Sequence, residues 1–268
     1  MSPIAGSPPV PWKTVALPVE HGGWGFLVEP VVLGLVLAPS AAGFCLAGAA
    51  VAAFLVRHPL RLVLLDRRKR ARYPRTALAE RFVLLYGALA LALVALAAVL
   101  ARSPFWLAIV LGAPLAMVAL LYDLRGRSRE ALPETAGGVA LGASAAAIAL
   151  AGGVPAGPAF GAWALLALRG VTAILYVRAR LRLDRGLPAG IPLALTTHAA
   201  GIAGAVGLAA VGWGPWLGVL ALFLMLVRAA HGLSSRRPPL RPKALGFREL
   251  GWALVTLVLL AVGYRLPL

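Results

Sequence analysis

The chain has 268 residues, of which 61% are apolar and only 13% charged, with a formal net charge of +17 and a mean hydropathy of +0.88. An average soluble domain is nearer ~45–50% apolar and ~25% charged, so the composition excludes an ordinary soluble enzyme and a disordered chain and points to a polytopic membrane protein. The positive balance then belongs to cytoplasmic loops at an anionic membrane face rather than to nucleic acid, and the lone Cys45 excludes a disulfide framework and a Cys-based metal cluster.

The opening residues, Met-Ser-Pro-Ile-Ala-Gly-Ser-Pro-Pro-Val-Pro, are Pro-rich and lack the apolar core of a signal peptide. Residues 1–16 are expected to be a flexible segment ahead of one integral membrane domain within residues 1–268. A membrane helix needs ~20 apolar residues to cross ~30 Å of hydrocarbon. That criterion gives nine segments, near 22–39, 41–56, 82–101, 104–122, 134–152, 158–177, 191–211, 215–230 and 249–264. Only Pro39-Ser40 separates the first two, and the eighth is short. The fold class is therefore all-α, a membrane helix bundle.

The connections alternate in charge. Nine cations lie between Arg57 and Arg81. Arg125, Arg127 and Arg129 follow the fourth span, Arg178, Arg180, Arg182 and Arg185 follow the sixth, and Arg228 to Arg248 follow the eighth. The other connections carry little beyond Arg102. The positive-inside bias then predicts a cytoplasmic N-terminus and an external C-terminus. Runs such as Gly137–Ser144 supply the small residues that let helices approach closely in lipid.

Charged groups within apolar segments are costly, at least ~2.5–3.5 kcal/mol each at mid-membrane, and so mark candidate sites. Glu20 and His21 stand at the entry of the first span. They either cap it at the interface or line a cavity. Glu29 lies ~13 Å deeper if the segment is helical, but Gly22, Gly23, Gly25 and Pro30 argue against an unbroken helix. Arg169 interrupts the sixth span and needs a cavity or an acid. Glu29 is a possible partner. His198, beside Thr196 and Thr197 in the seventh span, is either an interhelical donor or part of a site. Asp66 neutralises the cations around it, Asp123 follows Tyr122 at an interface, and Glu134 suits a helix N-terminus. Arg178 and Arg182 are four residues apart and share a helical face. They either anchor the membrane boundary or clamp a phosphate. There is no phosphate-binding loop, no H-E-x-x-H and no G-x-S-x-G. No zinc spacing appears, and a single axial His leaves haem open.

Nine spans with long basic loops after the second and sixth resemble the plan of the UbiA superfamily of intramembrane prenyltransferases. Members carry N-D-x-x-D-x-x-x-D ahead of R-T in the first loop and D-x-x-x-D in the later one, where aspartates hold magnesium and a prenyl diphosphate. Matching Arg75-Thr76 to the R-T pair leaves Asp66 at the middle aspartate and Arg70 at the last. Arg178 and Arg182 fall at the two later aspartates. Tyr122, Arg125, Arg127 and Leu132-Pro133-Glu134 echo a further segment. Pro18-x-Glu20-His21-Gly22-x-Trp24 with Glu29-Pro30, and Tyr176-Val177-Arg178-Ala179-Arg180, resemble the YwiC-like membrane family of bacteria. This implies a multi-pass protein of the bacterial cell membrane.

The resemblance implies a divergent, UbiA-like protein that binds, and as an enzyme would transfer, a prenyl, quinone or lipid-like substrate in a cytoplasm-facing cavity. Arg70, Arg75, Arg178 and Arg182 would hold its anionic group. Glu20, Glu29, Tyr122 and His198 would line the site, and Asp66 or His21 would take a proton. The Asp-rich motifs are not intact, so magnesium is not an assured cofactor. Membrane lipids and an anionic amphiphile are the expected partners, with no nucleic acid. The alternatives are a permease using Glu29, Arg169 and His198 as an ion path, and a non-catalytic assembly factor of a respiratory complex.

Overall fold

A computed structural model describes residues 11–18 and 23–266. Among these residues there are ten helices and no strand: α1 (Trp12–Ala16), α2 (Gly23–Leu37), α3 (Ala41–Arg68), α4 (Pro74–Leu100), α5 (Trp106–Leu124), α6 (Ala131–Ala151), α7 (Ala156–Asp184), α8 (Ile191–Ala210), α9 (Trp216–Leu233) and α10 (Pro242–Arg265). The nine expected segments are α2 to α10 in order. Eight of them are long and apolar enough to cross a membrane. This is a multi-pass helical membrane protein.

The exception is α2, which runs unbroken through Gly25 and Pro30, against the sequence expectation of a break. Its 15 residues reach about 22 Å at 1.5 Å per residue, short of ~30 Å of hydrocarbon. Its first turn sits against the middle of α3. The Trp24 and Phe54 rings meet edge-on at 5.0 Å between centroids. A side chain at Gly23 would come 3.0 Å from the same Phe54 ring. The helix therefore starts deep in the bundle. Ahead of it, α1 packs on α3 and α4, with Val15 buried among Val63 and Ala79. Thus residues 12–16 are helical and docked.

Four helices outrun their apolar stretches: α3 continues to Arg68, α4 begins at Pro74, α7 continues to Asp184, and α10 begins at Pro242. Arginine is a good helix former, so the basic stretches prolong the helices instead of ending them. Proline at the first turn of α10 costs no hydrogen bond.

Antiparallel packing sorts the connections to two ends. At one end Arg102 N donates to Ala151 O at 3.0 Å, and Arg265 donates to Val36 O. Arg102 and Arg265 are its cations. At the other end, the loops after α3, α5, α7 and α9 bring the remaining arginine clusters together. Arg178 Nη1 donates to Arg129 O at 2.7 Å, and Arg180 Nη1 to Gly232 O at 2.6 Å. We call this the cationic end.

The core is built on small residues. Ala145 to Ala151 of α6 are all buried. Gly34 of α2 faces them so closely that a Cβ there would lie 2.8 Å from Ile148 Cβ. By contrast α4 exposes Leu84, Leu85, Leu91 and Val99, as expected of a lipid-facing helix.

Candidate functional site

Ion pairing organises the polar residues. The sequence has nine acidic residues. All but Glu20 are described, and every one of those pairs with arginine. Six of these acids serve the cationic end. Asp66 is fully buried; Arg75 Nη2 donates to its Oδ1 at 2.9 Å and Thr76 Oγ1 to its Oδ2 at 2.8 Å. This pins the end of α3 to the start of α4. The Asp123 carboxylate lies 3.1 Å from Arg61 Nε and 3.9 Å from Arg57 Nε, and its backbone carbonyl accepts from Arg61 Nε at 3.4 Å, tying α5 to α3. Glu130 pairs with Arg127 and Glu80 with Arg67 and Arg72. Glu134 pairs with Arg178 at 2.9 Å, and Asp184 with Arg180 and Arg237.

The expected loop residues are therefore engaged separately. Arg178 is held by Glu134 and the Arg129 carbonyl. Arg182 donates to Pro188 O at 2.6 Å. Arg75 belongs to Asp66 and covers the Tyr73 ring. Arg70 is exposed and holds a positive φ of 50°. Tyr122 lies under the Arg127 guanidinium at 5.3 Å. Glu20 and His21 lie outside the described residues.

These groups do not fit a magnesium–diphosphate site. Such a site needs several hard oxygen ligands with room for the cation. Asp66 already gives both oxygens to protein donors; Val63 stands at the first aspartate position and Arg70, Arg178 and Arg182 at the others. Among the described residues no group of three or more His, Cys, Asp or Glu is placed to hold a metal.

A different constellation lies at mid-depth. Glu29 Oε1 of α2 is 3.0 Å from Arg169 Nη1 of α7. Arg169 Nη2 donates to the Glu249 carbonyl of α10 at 3.5 Å. The Glu249 side chain lies 3.2 Å from Arg228 Nη1 of α9. The Arg228 guanidinium sits 3.9 Å from the centre of the Tyr176 ring of α7, and Arg228 Nη2 contacts Met225 Sδ at 3.4 Å. His198 of α8 is buried and lies twelve residues in from the less charged end, as Arg228 does on the neighbouring α9. Its Nδ1 lies 2.7 Å from Ala194 O, which requires the proton on Nδ1 and leaves Nε2 as an acceptor. Five helices thus contribute to one buried polar centre. Counted along their helices from the less charged end at 1.5 Å per residue, Glu29 to Glu249 lie about 12–24 Å in.

Close packing holds this centre in place. A side chain at Gly232 would collide with the Tyr176 hydroxyl, so α9 and α7 meet without a spacer. Thr172, one turn from Arg169, is buried beside it.

The centre is incompletely satisfied. Arg169 Nε, Arg228 Nε and Nη1, His198 Nε2 and Glu249 Oε2 are buried without a hydrogen-bond partner. Buried polar groups are nearly always paired, so five orphans in one place mark a site where water or a ligand completes the bonding.

The pairing of Glu29 with Arg169 follows the sequence expectation, and His198 lies at the depth of Arg228 on the neighbouring helix. Arg228 and Glu249 were not anticipated as site residues. Arg228 is the visible case: it falls within the 18-residue α9, inside an apolar run.

A family model for YwiC-like protein matches residues 17–149. These residues belong to the YwiC-like family. The YwiC-like region spans α2 to α5 and nearly all of α6, and supplies Glu29 to the buried centre. Arg169, Tyr176, His198, Arg228 and Glu249 lie beyond it. No curated protein and no solved structure matches the chain.

Proposed function

We propose that this YwiC-like membrane protein is a permease for a small oxyanion, handled at the buried centre of Glu29, Arg169, His198, Arg228 and Glu249. The observation that carries the reading is the five unpartnered polar atoms on four side chains at mid-depth. Charged groups at this depth are expensive and as a rule face a polar pathway. Arginine suits oxyanions because its planar donor set matches their geometry without a metal. The centre's two arginines already hold carboxylates of the protein's own glutamates. The short α2, beginning at the level of mid-α3, fits a pathway bordered by a helix that crosses only part of the membrane. On this reading the protein lies in the bacterial cell membrane with its cationic end cytoplasmic.

The test is uptake into proteoliposomes of nitrate, methanesulfonate and lactate, with protein-free liposomes as control. Uptake of at least one above control is expected, with an at least tenfold loss in Arg228→Ala. No uptake of any of the three by the wild type would overturn the reading.

A second reading keeps the UbiA-like, lipid-binding transferase. It is favoured by exposed Arg70 and Arg182 at the cationic end. A polar cleft of about 450 Å³ lined by Arg61, Arg127, Ser128, Arg129 and Glu130 opens there too. Arg70, Arg75, Arg178 and Arg182 would then hold the anionic head of an amphiphile beside Tyr122. Mass spectrometry of amphiphiles that copurify in mild detergent tests it. One that is lost in the Arg178→Ala, Arg182→Ala double variant supports it, and unchanged retention sinks it.

A further inference from the structure

We propose that anion movement is coupled to protons, with Glu249 as the proton carrier and one proton taken up for each monovalent oxyanion. The inference rests on the permease reading and adds its energetic coupling.

The argument starts from the charges that face one another. α2 contributes Glu29, α7 contributes Arg169 and Tyr176, α8 contributes His198, α9 contributes Arg228 and α10 contributes Glu249. With His198 neutral, two carboxylates balance two guanidinium groups. A monovalent anion entering this set leaves one uncompensated negative charge in a low-dielectric interior, which is strongly unfavourable. Protonating one carboxylate restores neutrality.

The two ion pairs are not equivalent. Glu29 and Arg169 are both deeply buried, with side chains 11% and 5% exposed, and Arg169 is further committed to the Glu249 carbonyl. This pair is a fixed anchor. The Arg228–Glu249 pair is the exchangeable one. Its 3.2 Å contact is not aligned as a hydrogen bond, because Arg228 Nη1 remains without a partner, as does Arg228 Nε. Glu249 uses Oε1 in the pair and has Oε2 free.

Glu249 is also the most exposed of the three proton acceptors. It follows Pro242, the first residue of α10, by seven positions, about 10 Å from the cationic end, and its side chain is 14% exposed. His198 is the other unpartnered acceptor, but it is only 1% exposed.

The step balances simply. The anion takes up the free donors of Arg228 and displaces Glu249 Oε1. Hydronium at the cationic end gives its proton to Glu249 Oε2: one O–H bond breaks in the donor, one forms on the carboxylate, and water is left. Release of the anion returns Arg228 to Glu249, and the proton leaves.

The test uses the full chain in proteoliposomes, pyranine trapped inside, and nitrate or methanesulfonate outside. Both are anions of strong acids, so no proton crosses the lipid as the neutral acid. With voltage clamped to zero by valinomycin and potassium, an inward anion gradient should acidify the interior by one proton per anion. External acid should speed uptake. Uptake without internal acidification overturns the coupling while leaving the permease standing, whereas no uptake removes both. In Glu249→Gln, whatever its absolute rate, uptake should be flat between pH 5.5 and 8. In Glu249→Asp it should keep a pH dependence. A Glu249→Gln protein with the wild-type pH profile overturns the assignment. If Glu249→Gln does not fold, the wild-type proton count decides alone.

Discussion

Glu29 and Arg169 face each other at 3.0 Å across the interface of α2 and α7, with both side chains buried. One comes from the YwiC-like region and the other from the half of the chain beyond it. The pair couples the two halves at the depth where an unpaired charge is least tolerable.

Removing one partner leaves the other buried alone. Arg169→Ala should lower stability by about 3–5 kcal/mol, the usual cost of stranding a buried charge. The double variant Arg169→Met, Glu29→Gln should recover most of this loss. Thermal unfolding in detergent measures both. An Arg169→Ala protein as stable as wild type would show that the pair carries no such burden.

Asp66 is fully buried and fully bonded, so its expected effect is structural. Asp66→Asn keeps the shape but loses the charge that Arg75 faces. Stability should fall by about 1.5–3 kcal/mol, the range for hydrogen bonds to charged groups. Anion uptake per folded molecule should be unchanged. A selective loss of uptake at normal stability would restore Asp66 as a functional residue.

Asp184 makes the cationic end sensitive to acid. Partial burial pushes its carboxyl up, but hydrogen bonds from Arg180 and Arg237, with their charges, hold it below the ordinary value of 3.8. Because the folded value is depressed, the stabilisation is present above the unfolded pKa. It is lost as pH falls through the folded one. Hydrogen exchange in the loop 234–241 should therefore rise, beyond the intrinsic pH effect, below about pH 4. In Asp184→Asn the loop should be loosened already at neutral pH and show little further acid response.

The two ends should label from opposite sides. In a Cys45→Ala background, a cysteine at Arg70 should react with an impermeant maleimide only from the cytoplasmic side. One at Trp213, half exposed at the other end, should react only from outside. Both reacting from one side would refute the assigned orientation.

Much of the fold was legible because lipid imposes a length criterion. Each span needs a run of apolar residues, and the alternating arginine loops fix their parity. The ends were less legible. Arg57 to Arg68 and Arg178 to Asp184 read as loops by charge, yet they prolong α3 and α7. Buried acids at 66 and 123 and the exposed Asp184 neutralise arginines along the helices. The same feature hid half of the site. Glu29 and Arg169 stood out as lone charges in apolar runs. Glu249 flanks a basic loop and blended with it, and Arg228 was grouped with that loop although it lies inside an apolar run. The signal that places Glu249 inside a helix is Pro242, a first-turn residue seven positions earlier.

The lopsided distribution of arginine between the two ends has an electrical consequence. Carrying one charge across a membrane polarised by 100 mV costs about 2.3 kcal/mol. With the cationic end cytoplasmic, as proposed, an inverted molecule would hold nearly all its loop cations on the wrong side of that voltage, each adding its own increment. The bundle is therefore held in one orientation as a charged plate is held in a field. A respiring cell tightens that hold, and a de-energised one relaxes it.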